Sequence, residues 1–222
     1  MKKVLVIAVH PDDETLGCGG TLLKHKYDGD QVYWVILTKA NQRITSIPDI
    51  LQKQKEYVDL VAKTYNFTNW FQLDFLTTEL DKYPMGDIIS EISRIINIIQ
   101  PHYIYFNHFA DVHSDHKVAF DAIYSCTKNF RYPFIQRILL FETLSETEFA
   151  PAISKTTFIP NVFVDISPYL EQKINIMKLF TTEQMDEPYP RALSSIEALA
   201  RYRGSRIGVK YAEALQLIFM KD

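Results

Sequence analysis

Val4-Leu5-Val6-Ile7-Ala8-Val9 runs directly into His10-Pro11-Asp12-Asp13-Glu14. An unbroken apolar run, rich in β-branched residues and without polar alternation, predicts a strand buried on both faces, as parallel sheets require. After the proline turn, Glu14 to Tyr27 reads as a helix with Leu16, Leu22 and Leu23 able to face the sheet. Asp28-Gly29-Asp30 ends it, and Val32 to Leu37 is a second apolar strand. A strand–helix–strand unit of this kind is almost always a right-handed crossover.

The same alternation continues outward from that unit. Helices are predicted over 50–65, 87–100, 116–128, 168–181 and 192–219, and strands over 70–73, 103–106, 138–141 and 161–166. Ile88, Ile89, Ile92, Ile95, Ile96 and Ile99 recur at helical spacing, and Pro101 stops that helix. The expected fold is α/β: a Rossmann-like doubly wound, mostly parallel sheet with helices on both faces, in a single domain over 1–222. No repeat or low-complexity linker interrupts the chain.

Composition narrows the function. The chain has 222 residues, 47% hydrophobic and 23% charged, within the globular range. Twenty-four basic against 27 acidic residues give a formal charge of −3, which disfavours a non-specific nucleic-acid partner. Two cysteines, Cys18 and Cys126, make no disulfide framework and fit a reducing compartment. The first apolar run is too short for a signal peptide or a membrane span, so a soluble, cytoplasmic protein is expected.

Two predicted strand ends carry an unusual density of metal-capable side chains: His10 to Glu14, and Asp111-Val112-His113-Ser114-Asp115-His116. Ligands in open parallel sheets bind beyond the carboxyl ends of strands. A catalytic divalent ion, typically zinc, needs three imidazole or carboxylate ligands and one open position. His10 and Asp13, three apart across a turn, can share an ion, with His116 as the third ligand. That leaves Asp12 beside the site, where a general base belongs, and His113 as acid or oxyanion stabiliser with Asp115 fixing its tautomer. A competing account makes Asp12-Asp13-Glu14 only a helix start, where carboxylates meet free N–H groups.

At these residues the chain resembles the LmbE-like (PIG-L) family of zinc-dependent N-deacetylases. The carrying residues are Ala8 to Glu14 with Leu16-Gly17-Cys18-Gly19-Gly20, then Asp111, His113, Asp115 and His116, and later Pro160 to Ile166, Arg203-Gly204 and Tyr211 to Ala214. The resemblance implies one zinc ion on His10, Asp13 and His116, Asp12 as base, and His113, oriented by Asp115, as acid. It also implies removal of acetyl from an N-acetylglucosamine-type conjugate. Thr38-Lys39-Ala40-Asn41 departs from the family's usual Thr-x-Gly, and Thr77 stands where an acidic sugar contact is frequent. Asn41, Arg43 and His108 are the expected substrate contacts. The aromatic stretch from Phe130 to Phe134 is suited to self-association. A binding protein without turnover, and a hydrolase of another amide or a phosphoester, are the alternatives; the phosphoester version would favour basic residues that the loop 107–116 lacks.

Overall fold

A computed structural model describes residues 1–222. The chain runs β1 (Lys3–Ala8), α1 (Asp13–Tyr27), β2 (Gln31–Lys39), α2 (Ile50–Tyr65), β3 (Asn69–Leu76), α3 (Met85–Ile99), β4 (Tyr103–Asn107), α4 (Ser114–Ser125) and β5 (Arg137–Phe141). Then follow β6 (Val162–Asp165), α5 (Leu170–Met177), α6 (Leu193–Ser205) and β7 (Ala212–Met220), with a short 3₁₀ turn at Leu80–Lys82 after β3. The seven strands form one sheet in the order β3-β2-β1-β4-β5-β7-β6. β3, β2, β1, β4 and β5 pair in parallel, and β7 lies antiparallel to both β5 and β6.

The continuous apolar run of β1 serves two cores, as its lack of alternation requires. Val4, Val6 and Ala8 join the layer under α1, α2 and α5, while Leu5, Ile7 and Val9 join the one under α3 and α4. The isoleucine ladder of α3 is buried at Ile88, Ile92, Ile95, Ile96 and Ile99. No helix is long and apolar enough to cross a membrane.

One expectation is corrected. The predicted helix over 192–219 stops at Ser205, and its second half is strand β7. Gly208, at φ 72°, turns the chain in a left-handed conformation, and Ala212-Glu213-Ala214-Leu215 pairs with β6 and Leu215-Gln216-Leu217 with β5. Glu213, within the predicted helix, is instead buried in the sheet. Sheet pairing overrides local propensity there.

That glutamate fixes the helix on which the site is built. Helix α1 breaks at Cys18 (φ −146°, ψ 22°), and the Glu213 carboxylate accepts the N–H groups of Gly20 and Thr21 just beyond. Lys173 of α5 closes the arrangement, donating to Glu213 at 2.7 Å and to the Leu16 carbonyl at 2.9 Å. Gly17 allows the approach to β5, since a Cβ there would meet the Phe141 ring at 2.2 Å. Removing one partner of a buried ion pair costs about 3–5 kcal/mol, because the other is left uncompensated. Glu213→Ala should therefore lower stability by that order, and Glu213→Ala with Lys173→Met should recover a large part of it. Urea denaturation of both variants measures the difference; equal losses would refute the coupling.

Candidate active site

The order β2-β1-β4 places the reversal of chain direction through the sheet between β1 and β4, where a crevice opens beyond their carboxyl ends. His10 to Asp13 leave β1 there, and the segment ending in α4 leaves β4. His10 Nδ1 lies 3.3 Å from His116 Nε2, Asp13 Oδ2 3.4 Å from His116 Nε2, and Asp13 Oδ2 3.9 Å from His10 Nδ1. Bonds of about 2.0–2.1 Å in tetrahedral array put ligand atoms roughly 3.4 Å apart, so this triangle matches one face of a metal tetrahedron.

The outer nitrogens of both histidines are held. His116 Nδ1 meets Asp111 Oδ2 at 2.9 Å, and His10 Nε2 meets Asp115 Oδ2 at 3.1 Å. A carboxylate behind each imidazole fixes its tautomer and leaves the other nitrogen facing the triangle. Asp111 is itself anchored by the Thr147 hydroxyl at 2.7 Å. Burial opposes ionisation of Asp13, but the charges and hydrogen bonds of His116 and His10 outweigh it and hold its carboxyl low. Loss of such an outer carboxylate weakens metal binding by about 10–100-fold. Asp111→Ala should show a loss of that size in a competition titration with a chromogenic chelator, and unchanged affinity would remove Asp111 from the metal site.

A second triplet, His10, His113 and Asp115, also lies close enough to share an ion. Its Asp115 carboxylate and His113 Nδ1 carry other hydrogen bonds, as does Asp13 Oδ2 of the first triplet, which accepts the N–H groups of Val9 at 3.0 Å and His10 at 2.7 Å. The Asp115 carboxylate accepts the backbone N–H of Thr78 at 2.6 Å and of Leu80 at 3.1 Å, and His113 Nδ1 accepts the Asp115 N–H at 3.1 Å. The Asp115 carboxylate stands 4.0 Å from His113 Nδ1, so Asp115 orients His113 through its backbone and His10 through its side chain. Burial, then the neighbouring His10, lowers His113 to about 4. At neutral pH its ring is uncharged, and with Nδ1 accepting, Nε2 carries the proton.

Asp12 is the group left over. Its carboxyl is buried, and Oδ2 has no hydrogen-bond partner. Arg191 Nη1 approaches it to 3.5 Å, near enough to offset charge but not aligned for a hydrogen bond, and lies equally far from Glu183. Burial, with Asp13, Glu183 and Glu14 nearby, pushes Asp12 well above the ordinary carboxyl value despite Arg191. Asp12 does not cap α1 with its side chain, so the helix-start account explains Asp12 poorly. Glu14, pushed up to about 8 by burial, bonds the Thr15 hydroxyl and takes no part in the triangle.

His10, Asp12, Asp13 and His113 line a hollow of about 210 Å³ with Thr77, Thr143, Glu146, Glu183 and Arg191. Of the expected substrate contacts, Asn41 lines an adjoining hollow, whereas Arg43 is exposed outside both. His108 stays out of the cleft altogether, fully buried with its ring against Phe109 and Phe158. Sequence reasoning missed Arg191, Glu183 and Glu146. They come from loops between elements, and no spacing ties them to either motif.

Residues 5–127 match the family model of the GlcNAc-PI de-N-acetylases. A diacetylchitobiose deacetylase of Thermococcus kodakarensis is 25% identical over 228 aligned residues, covering 98% of this chain and 84% of the relative. The conserved protein TT1542 of Thermus thermophilus superposes with a TM-score of 0.79 at 22% identity, over 100% of this chain and 97% of its own. GalB, a 4-carboxy-2-hydroxymuconate hydratase of Pseudomonas putida, superposes with a TM-score of 0.75 at 17% identity, over 100% and 98%. These likenesses between structures concern the fold.

Proposed function

The chain belongs to the GlcNAc-PI de-N-acetylase (PIG-L) family, and from that premise we propose that it removes acetyl from an N-acetylated amino-sugar conjugate by metal-dependent hydrolysis. The observation that carries this reading is a buried carboxylate, Asp12, whose Oδ2 accepts no hydrogen bond and faces only Arg191 at 3.5 Å, beside a triangle of potential metal donors whose outer nitrogens are already tied. His10 Nδ1, Asp13 Oδ2 and His116 Nε2 would hold one zinc ion, which supplies Lewis acidity and lowers the pKa of a water toward neutrality.

Asp12 Oδ2 takes the proton of the attacking water. Arg191 tempers the charge that Asp12 and Glu183 would otherwise accumulate. His113 donates from Nε2 to the oxygen that gains charge at the amide carbon, as a neutral donor rather than an imidazolium. The Asp12 carboxyl then carries the proton and returns it to the departing amine. In the hollow, Arg191 is the only Lys or Arg beside four carboxylates, Asp12, Asp13, Glu146 and Glu183, which suits a neutral amide better than a phosphoester.

Acetate release from N-acetylglucosamine conjugates should stop on removal of metal by a chelator and return with about one equivalent of Zn²⁺. Persistent hydrolysis by fully stripped protein would overturn the reading. A bound-ligand signal without acetate would make this a binding protein.

A further inference from the structure

The cleft does not end at the donor triangle. A second hollow of about 230 Å³ shares His10, Thr77 and Glu183 with the first. Its remaining walls come mainly from the segment between β2 and α2, with Asn41, Ile44, Thr45, Ile47 and Ile50. The two hollows are of similar size and meet at a metal-donor histidine, so a molecule reacting at His10 with one unit has room to seat another.

We propose that the second hollow receives the group to which the amino sugar is attached, and that this group is uncharged with an apolar face. The inference rests on the deacetylase reading above. Two observations give the group its chemistry. First, three isoleucines line the hollow, and Ile44 is 57% exposed on its wall. Exposed branched aliphatic side chains bordering a cleft gain free energy when a ligand covers them, and the C–H face of a pyranose or an aromatic ring is suited to do so. Second, the ionisable side chains of the hollow are His10 and Glu183, with no Lys or Arg among its walls. Glu183 already shares Arg191 with Asp12, at 3.5 Å from each. A phosphate there would face a carboxylate without a cation to meet it. Arg43, on the same segment, is exposed and lies outside the lining.

Two polar side chains of this hollow are tied to its backbone. Asn41 is buried, its Oδ1 accepting the Arg43 N–H at 3.1 Å, and Gln54 Oε1 accepts the Ala40 N–H at 2.9 Å. The Gln54 bond ties the start of the segment that carries Ile44 and Ile47 to α2, and the Asn41 bond forms a turn within that segment, so the apolar wall is anchored at its root.

Acetate release should be compared for free N-acetylglucosamine, N,N′-diacetylchitobiose, an aryl β-glycoside of N-acetylglucosamine and N-acetylglucosamine 1-phosphate. The neutral conjugates should exceed the free sugar at least tenfold in kcat/KM, chiefly through KM, and the phosphate should fall at or below the free sugar. Ile44→Asp, a change at an exposed position that the fold tolerates, should bring the ratio of neutral conjugate to free sugar toward one. Ile47→Asp should act in the same direction. The inference is overturned, with deacetylation intact, if the phosphate is the best substrate or if neither variant changes the ratio. Acetate from none of the four would sink the deacetylase reading and this inference with it.

Discussion

His116→Ala should leave a desalting column nearly free of zinc, whereas His113→Ala should keep about one equivalent and turn over roughly 10²–10³ times more slowly. The two residues sit three apart on one turn, yet their nitrogens face different tasks. His116 Nε2 is 3.3–3.4 Å from the other two donor atoms of the triangle, and Nδ1 is tied to Asp111. On the proposed metal site, removing it deletes one of three ligands and leaves Asp13 and His10 as the only two. His113 Nδ1 is already occupied by the Asp115 N–H, so only Nε2 is free, on a ring that lines the hollow. Its loss removes a hydrogen bond that matters when charge develops and leaves the triangle intact. Metal analysis of the purified variants, paired with initial rates, decides the assignment. Equal zinc contents, or the reverse order, would overturn it even with deacetylation established.

The difference between these histidines shows which parts of the site a sequence exposes. Strands with both faces buried announce themselves as unbroken apolar runs, so β1, β2 and β4 were legible, and their carboxyl ends directed attention to His10 and His116. Both motifs adjoin the carboxyl end of a strand, which puts them at one edge of a parallel sheet, but the β1–β4 adjacency that closes the triangle is visible only in the strand order. The carboxylates behind the histidines were less visible. Asp115 was expected to steady the His113 ring with its side chain, but the first turn of α4 aims that side chain at His10 and leaves only its N–H for His113. Arg191 and Glu183 could not be read at all, because a loop that wanders back over the cleft has neither periodicity nor fixed spacing. Helix 192–219 failed for a related reason: β7 is inserted antiparallel between β5 and β6 at the far edge, and local propensity carries no record of that partner.

Asp12→Gly should stabilise the metal-free protein relative to Asp12→Ala, while both lose activity by about 10²–10⁴, the usual contribution of a positioned base. The backbone of Asp12 stands at φ 135°, ψ −25°, a conformation that a residue with a Cβ adopts only under strain. Such strain is worth about 1–3 kcal/mol. Alanine removes the carboxylate and its crowding by Asp13, Glu183 and Glu14 but retains the Cβ, so it keeps the backbone penalty. Glycine removes both, and gives back only about 0.5–1 kcal/mol through the greater freedom of its unfolded chain. The balance favours glycine by up to about 2.5 kcal/mol, centred on about 1 kcal/mol, and for a chain of this size each kcal/mol shifts Tm by roughly 2–4 °C. Measuring both variants after chelation keeps changes in metal affinity out of the comparison. Equal melting temperatures would show that the turn is relaxed with aspartate in place. A higher value for glycine would show that the turn is strained whenever a side chain stands at this position, the geometry that sets the carboxylate of Asp12, the proposed base, beside the donor triangle.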